Sequence, residues 1–279
     1  MADWSAWIGR TQTQKDVLTP GLLTRFRAML DSAATGKMAA QGIHWCLCLP
    51  DAPTADLGAD GHPLRNDSPE SFLPPVPLPR RMWASSKMAF LAPISATSPV
   101  HRQSRIAAVS EKTGSTGTLV FVDIDHETHA DGTLAIRERQ TVVYREATTT
   151  PPAPRPADTA PDLSGWQWHR PLLPTEPLLF RYSALTFNSH RIHYDLPYAV
   201  DEECYRGLVV HGPLMATLLL DLAARELGDN KLARFAFRGQ SPAFAGEPLH
   251  LVGKAGGNEI TLAVLGGDGR MVMSAEAGL

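Results

Sequence analysis

Residues 207–228 read GLVVHGPLMATLLLDLAARELG, and this stretch decides the fold of the second half of the chain. Pro213 suits the first turn of a helix, and Gly228 is a typical residue just past a helix end. Apolar residues recur between them at helical spacing, at Leu214, Met215, Leu218, Leu219 and Leu222. Because no charged residue occurs from Gly212 to Leu220, the pattern predicts a helix that is covered on most of its surface.

Strand-like stretches with turn residues between them follow this helix. They are residues 233–239, 248–254, 258–265 and 270–276, and Gly266-Gly267-Asp268-Gly269 has the composition of a hairpin turn. The second half of the chain is therefore predicted to be an antiparallel sheet wrapped on one helix.

The first half repeats this order. Thr19-Pro20 is a helix start, and large apolar residues follow it at helical spacing up to Leu30. Three strands are then predicted at 102–111, 118–128 and 133–146. A helix followed by an antiparallel sheet thus occurs twice, which predicts an α+β protein of two similar units.

A proline-rich segment separates these two units. TPPAPRPADTAP, residues 150–161, contains five prolines and no aliphatic residue larger than alanine, as expected of a semi-rigid linker. We therefore predict an N-terminal unit at 1–148, a linker at 149–165 and a C-terminal unit at 166–279. A second proline-rich stretch, 50–79, is predicted to be a long loop within the first unit.

Composition excludes several classes of protein. The 279 residues carry a formal net charge of −3, so no basic footprint for nucleic acid is present. No stretch approaches the roughly 20 apolar residues of a membrane span. The three cysteines cannot form a disulfide framework and fit a reducing compartment. We therefore expect a cytoplasmic protein without nucleic-acid or membrane partners.

The cysteine-containing stretch HWCLCLP, residues 44–50, alternates as a half-buried strand does. His44, Cys46 and Cys48 offer an alternative as metal ligands. However, a second ligand pair at zinc spacing is missing from the sequence, so the strand is favoured.

The densest polar cluster is YSALTFNSHRIHYDLPYA, residues 182–199, directly upstream of the buried helix. His193 has the side-chain type whose ordinary pKa, near 6.5, allows it to accept and donate protons at neutral pH. Asn188 cannot ionise, but its amide can hold a water molecule. The N–H of Gly212, at a helix start, can stabilise a developing negative charge, whereas Pro213 has no N–H to offer. These groups suit the addition of water to a double bond conjugated to a thioester.

The sequence of residues 182–220 resembles the hydratase-2 motif of the MaoC-like enoyl-CoA hydratases and hydroxyacyl-thioester dehydratases. In that motif, a Thr/Ser-Gly-Asp-x-Asn-Pro-x-His stretch is followed by a Gly that begins a helix. FNSHRIHYD and HGPL most resemble the mesaconyl-C4-CoA and itaconyl-CoA hydratases and the type 2 hydroxyacyl-thioester dehydratases. Residues 80–146, which begin Arg-Arg-Met-Trp-Ala, are similar to the N-terminal part of two-unit members. Asn188 stands where the family has its catalytic Asp.

This resemblance implies a double hot-dog fold and a hydro-lyase that uses no cofactor and no metal. It implies an acyl-CoA substrate, with a branched C5 dicarboxyl group such as mesaconyl-C4-CoA or itaconyl-CoA giving citramalyl-CoA, and a homodimer is an open alternative to a monomer. The implied catalytic residues are His193, Asn188 and Gly212, and the N-terminal unit is expected to hold the acyl or CoA chain without catalytic residues. The residues expected to bind substrate are Arg191, His190 and His211.

Other interpretations of these residues are also open. Asn188 is often only a turn residue, and Asp195 before Leu-Pro suits a helix N-cap better than a proton carrier. His190-x-x-His193 with Asp195 can be drawn as a metal site, although no HExxH motif is present. The alternative functions are a 3-hydroxyacyl-ACP dehydratase, a non-catalytic acyl-thioester-binding module and, less favoured, a hot-dog thioesterase.

Overall fold

The computed structural model describes residues 3–66, 68, 70–114, 117–147, 154–155 and 159–279. This part of the chain contains ten β-strands and three α-helices. The strands are β1 (Thr11–Val17), β2 (Arg80–Phe90), β3 (Pro99–Gly114), β4 (Gly117–Ala130), β5 (Thr133–Arg145), β6 (Trp168–Leu172), β7 (Arg234–Gly239), β8 (Leu249–Gly256), β9 (Glu259–Gly266) and β10 (Met271–Gly278). The helices are α1 (Pro20–Met29), α2 (Glu176–Thr186) and α3 (Gly212–Leu227).

All ten strands belong to one antiparallel sheet with the order β1-β3-β4-β5-β2-β7-β10-β9-β8-β6. Strands β1–β5 come from the first half and β6–β10 from the second. The two groups join where Ser85–Ala89 of β2 pairs with Arg234–Arg238 of β7. We call this pairing the seam; it makes the sheet continuous from one half to the other.

Helix α3 occupies the centre of the second half. It begins at Gly212 and ends before Gly228, as predicted, and nine of its sixteen residues are buried. It packs against β8, β9 and β10, with Leu214 and Leu219 fully enclosed. The four strands predicted after it are also confirmed, as β7 to β10.

Helix α1 of the first half is shorter and reaches across to the other half. Thr19 caps it by accepting a hydrogen bond from the Leu22 N–H at 3.1 Å. Its buried residues Leu23, Phe26 and Met29 join the main core, and the helix packs against α2. The helix and the three predicted strands of this half are confirmed.

The strand predicted at HWCLCLP is wrong. Ile43–Cys46 forms a 3₁₀ turn, and both Gly42 and Cys48 have positive φ, which breaks an extended path. All residues from Ile43 to Cys48 are buried, so the alternation in this stretch does not separate a core face from a solvent face.

The proline-rich stretch 50–79 packs against the first half. Val76 and Leu78 are buried against the outer face of the sheet, beside Ile106 and Val122. Of the predicted linker, residues 149–153 and 156–158 lie outside the described residues, so the boundaries of the two units stay predictions. None of the described helices combines the length and hydropathy that a membrane crossing requires.

Candidate active site

The polar motif begins where α2 ends. Phe187 has φ of 48°, and the Asn188 N–H donates to the Ser183 carbonyl at 2.9 Å, which closes the helix. The Asn188 side-chain oxygen accepts the His190 N–H at 3.0 Å. Asn188 therefore does form a local turn, while its amide nitrogen makes no hydrogen bond within the described chain and is available to a water molecule.

His193 lies in the short 3₁₀ turn Arg191–His193 and is buried. Its Nδ1 is 2.7 Å from the Val209 carbonyl oxygen, which can only accept, so Nδ1 carries the proton and Nε2 keeps its lone pair. Burial and the neighbouring His211 hold the His193 pKa well below its usual value. The ring is thus a neutral base at pH 7.

His211 stacks on His193 with their ring centroids 3.5 Å apart. Its Nε2 hydrogen bonds with the Ser183 hydroxyl at 2.8 Å, and burial lowers its pKa to about 3. Because the His211 ring is buried and its Nε2 already makes a hydrogen bond, this geometry favours a role for His211 in positioning the His193 ring. The prediction that His211 contacts substrate stays a prediction.

Gly212 opens α3 directly after His211. Its N–H and that of Leu214 make no hydrogen bond to any described residue, as expected in the first turn of a helix. A Cβ on Gly212 would lie 3.9 Å from the Trp83 carbonyl oxygen of β2, so the first half borders the helix start. The free N–H and the dipole of α3 suit an oxyanion.

His190 is held by a charged pair. Its Nε2 donates to Glu203 at 3.1 Å, and the same carboxylate oxygen is 2.7 Å from the Arg80 guanidinium. Glu203 and His190 are both buried, and Arg80 comes from β2 of the first half. The predicted substrate-binding residue His190 therefore lies in an ion-pair network that spans both halves.

A second carboxylate and histidine pair comes from the first half. The His62 Nδ1 donates to the Asp60 carboxylate at 3.0 Å, and the His62 ring lies 4.1 Å from that of His190. Burial lowers the His62 pKa, and it outweighs the opposite effect of Asp60. Burial is the largest single influence on Asp60 and raises its pKa, but the hydrogen bonds from His62 and the charges of His62 and His190 together outweigh it, so the pKa of this carboxyl falls.

Tight contacts dock this loop on the motif. Gly61 has φ of +84°, and a Cβ there would lie 2.0 Å from the Ser189 carbonyl oxygen, so only glycine fits. The Ser189 hydroxyl donates to the Gly61 carbonyl at 2.5 Å. Arg191 donates from its backbone to Asp60 and from its side chain to the Ala59 carbonyl, each at 2.9 Å.

Arg191, predicted to bind substrate, has its charge paired locally. Its Nε and a terminal nitrogen donate to Asp195 at 2.9 and 2.7 Å, and its guanidinium stacks over Tyr198 at 4.1 Å. Asp195 also accepts the Tyr198 N–H at 3.2 Å, as an N-cap does. This arrangement favours a structural role for both residues.

Four imidazole rings form a continuous row through the site: His62, His190, His193 and His211. Successive centroids are 4.1, 5.6 and 3.5 Å apart. The structure thus brings the predicted residues of the 188–212 segment together. Sequence reasoning missed Asp60, His62, Arg80 and Glu203; the only local signal was the Asp-Gly-His turn within a long loop.

One group in the described chain has ligand atoms close enough for a metal ion. The nitrogen and oxygen atoms of Asp60, His62 and His190 lie within 4.8 Å of one another. Arg81 contributes an opposing positive charge near His62. The group differs from the metal site drawn on His190, His193 and Asp195, since Asp195 faces Arg191 instead.

Comparison with known proteins identifies the family of this chain. Residues 42–245 match the family model of hydroxyacyl-thioester dehydratase type 2. The chain is 40% identical over 278 residues to mesaconyl-C4-CoA hydratase of Chloroflexus aurantiacus, covering 98% of this chain and 97% of that protein. The chain therefore belongs to the hydroxyacyl-thioester dehydratase type 2 family.

Solved structures agree on the fold. HtdX from Mycobacterium tuberculosis superposes with a TM-score of 0.68 at 16% identity, covering 96% of this chain and 98% of that one. Another protein from the same organism, described as a double hotdog fold, gives a TM-score of 0.59 at 12% identity over 97% and 95% of the chains. The predicted double hot-dog fold and hydratase/dehydratase class are confirmed: the protein is a hydro-lyase of acyl thioesters.

Proposed function

We propose that the protein adds water to a conjugated enoyl-CoA whose acyl group carries a second carboxylate, with mesaconyl-C4-CoA giving citramalyl-CoA as the reaction. The observation that carries the proposal is the neutral His193, whose Nδ1 is fixed by Val209 and whose Nε2 is free to accept a proton. The 40% identity to a protein named for this substrate supports the choice of acyl group.

The proposed reaction assigns one task to each predicted group. His193 Nε2 takes a proton from water while the water oxygen bonds to the β-carbon. The electron pair of the double bond moves to the thioester oxygen, which accepts a hydrogen bond from the Gly212 N–H. The resulting His193 imidazolium then gives its proton to the α-carbon. The site returns to its starting state with one water consumed.

Asn188 is proposed to hold the attacking water through its amide N–H₂, since its oxygen is engaged in the turn. Asn188→Asp keeps an acceptor for the His190 N–H but removes the donor, so we expect part of the activity and a new acidic limb in the pH profile. Asn188→Ala should lower kcat. Lost stability with near-normal kcat would instead reduce Asn188 to a turn residue.

The interior of the first half contains a buried polar network. Glu138 is buried there with His44 3.4 Å away, accepts from Trp45 at 3.2 Å and accepts from Ser86 at 2.5 Å. A buried charge at this place opposes a long apolar tunnel for a fatty acyl chain through the first half. We therefore place the ACP dehydratase of fatty-acid synthesis second.

The test is the loss of enoyl-thioester absorbance with mesaconyl-C4-CoA, crotonyl-CoA and decenoyl-CoA, with mass analysis of the products. Gain of one water on mesaconyl-C4-CoA is expected. Release of free CoA would indicate a thioesterase, and binding without turnover would indicate a binding module. His169→Ala, which removes an exposed histidine of β6 that pairs with His250, is the matched control for loss of a histidine.

We also propose a homodimer and a cytoplasmic location. The three cysteines are free, which supports a reducing compartment. The outer strands β1 and β6 leave two sheet edges on which a second copy could pair. Light scattering at several protein concentrations tests the dimer, and a monomer mass throughout would contradict it.

A further inference from the structure

Two histidines from opposite halves of the molecule meet beside the candidate active site, and each is held by a carboxylate. The His62 Nδ1 is 3.0 Å from Asp60 Oδ2, and the His190 Nε2 donates to Glu203 at 3.1 Å. The centroids of the two rings are 4.1 Å apart. A carboxylate behind an imidazole is the usual second partner of a metal-binding histidine, because it fixes the orientation and the tautomer of the ring. The pair therefore has the form of a metal site.

His190 has the proton arrangement that a metal ion requires. Glu203 also pairs with Arg80 at 2.7 Å, so its oxygen acts as an acceptor and the His190 Nε2 carries the proton. The His190 Nδ1 then keeps its lone pair. This nitrogen makes no hydrogen bond within the described chain, and it is not among the side-chain atoms that are sealed from solvent there. An ion that enters from solvent can therefore reach it.

The separation of Asp60 and His62 matches that of two ligands on one ion. Two atoms bound to zinc at about 2.0–2.2 Å lie about 2.8–3.6 Å apart when the angle between them is about 90–109°. The 3.0 Å between Asp60 Oδ2 and His62 Nδ1 is within this range, so an ion in place of their shared proton would bind both atoms with little movement.

The third ligand atom is close to these two. One atom from each of Asp60, His62 and His190 lies within 4.8 Å of the other two, so binding a common ion requires a movement of about 1 Å. The side chains of His62 and Asp60 are 23% and 34% exposed, whereas His190 is buried. Arg81 opposes a cation near His62, but the Asp60 carboxylate offsets that charge. An ion would thus meet two accessible ligands and one fixed ligand.

Two imidazoles and one carboxylate select the class of metal. Nitrogen ligands suit Zn²⁺ and other divalent ions of the first transition row, whereas Mg²⁺ and Ca²⁺ prefer oxygen. We propose that Asp60, His62 and His190 bind one zinc ion, which ties the loop of the first half to the motif of the second half. This inference goes beyond the proposed function and does not depend on it. The ion is structural and takes no part in the proposed hydration.

The direct test is titration with Zn²⁺ by calorimetry, with protein that carries no polyhistidine tag and has been treated with a chelator. One Zn²⁺ per chain is expected, and Mg²⁺ should not bind. Asp60→Asn keeps an acceptor for His62 but removes the charge, and His62→Gln removes a ligand nitrogen. Each should weaken the Kd about tenfold or more. Glu203→Gln changes the carboxylate behind His190 and should weaken the Kd about 10- to 100-fold.

The matched control is His169→Ala. The His169 Nε2 is 2.9 Å from the His250 Nδ1, so this pair also offers ring nitrogens, but it belongs to no group of three ligand residues in the described ranges. The stoichiometry and the Kd should stay unchanged in this variant. Binding that disappears in His169→Ala, or that survives Asp60→Asn combined with His62→Gln, would overturn the inference.

Two further measurements separate a built site from loose binding to the surface. Co²⁺ should give the visible absorption of a site with nitrogen and oxygen ligands and no thiolate charge-transfer band, because the ligand set contains no cysteine. At a free Zn²⁺ concentration about 100 times the Kd, the Tm of wild type should rise by about 5–10 °C. At the same concentration, Asp60→Asn should gain about half as much or less. A thiolate band, or a wild-type Tm that zinc does not raise, would contradict the site.

Discussion

The two halves of the sheet differ in the helices that pack against them. The second half encloses a sixteen-residue helix whose start provides Gly212, and it carries His193 on the motif before that helix. The first half has the ten-residue α1, which reaches over to α2, and a buried polar network around Glu138. It nevertheless sends Asp60, His62 and Arg80 into the site of the other half. The first half therefore contributes side chains next to the predicted catalytic residues, although its own helix α1 provides none of them.

The largest expected effect comes from removing the first half. A fragment of residues 166–279 would expose the edge of β7 and the core residues that α1 covers, so we expect no cooperative unfolding transition and no activity. Circular dichroism and the hydration assay check this. Full-length protein cleaved at an engineered protease site within 149–158 is the control and should stay folded. An active isolated fragment would show that the halves are independent.

The second comparison removes one buried histidine from each half. His193→Ala should lower kcat by roughly 10²- to 10⁴-fold, the usual contribution of a positioned acid–base group, with little change in Tm. His44→Ala, next to Glu138 in the first half, should lower Tm while kcat stays near normal. More than about a tenth of wild-type kcat in His193→Ala would exclude acid–base catalysis by this residue.

Two glycines with similar backbone conformation test the docked loop. Gly61→Ala would place a Cβ 2.0 Å from a backbone oxygen of the motif and displace Asp60 and His62. Gly132, with φ of +78° and no atom within 4 Å of a Cβ, bears only the conformational cost of about 1 kcal/mol. We expect both variants to lose stability but only Gly61→Ala to lose kcat/KM, by tenfold or more. Equal kcat/KM in both would show that docking does not serve the site.

The smallest expected effect is a dependence of stability on pH. The folded pKa values of His193 and His211 lie below the ordinary value of about 6.5, so the unfolded chain binds more protons. The free energy of unfolding should therefore be highest above about pH 7 and decrease as the pH falls below 6.5. We expect about 1–2 kcal/mol of loss per buried histidine by pH 5, measured by urea unfolding. His211→Gln should reduce this slope; an unchanged slope would contradict the assignment.

The parts of the fold with strong local signals could be predicted from sequence. Thr19-Pro20 and the Pro213 to Gly228 stretch located α1 and α3, and period-two runs located seven strands. The strands β1, β2 and β6 and helix α2 were missed. β1 is an edge strand of polar residues, mostly exposed, so it lacks the alternation that reveals a half-buried strand.

The candidate site also has a part that the sequence predicts and a part that only the fold reveals. Asn188, His190, His193 and Gly212 lie within 25 residues and form one recognisable motif. Asp60 and His62 precede that motif by more than a hundred residues, and only the folded backbone brings Gly61 against Ser189. The sequence could not show that Arg80 pairs with Glu203, because that ion pair joins residues from opposite halves of the molecule.

The seam between β2 and β7 also determines how the protein comes apart. Its five residue pairs lie in the middle of the ten-stranded sheet, not at a solvent-exposed joint. Amide protons at Ser86 and Phe237 should exchange with deuterated solvent only when the whole chain opens, as slowly as the most protected amides of the core. Although the protein has a double hot-dog fold, we expect it to unfold in a single calorimetric transition.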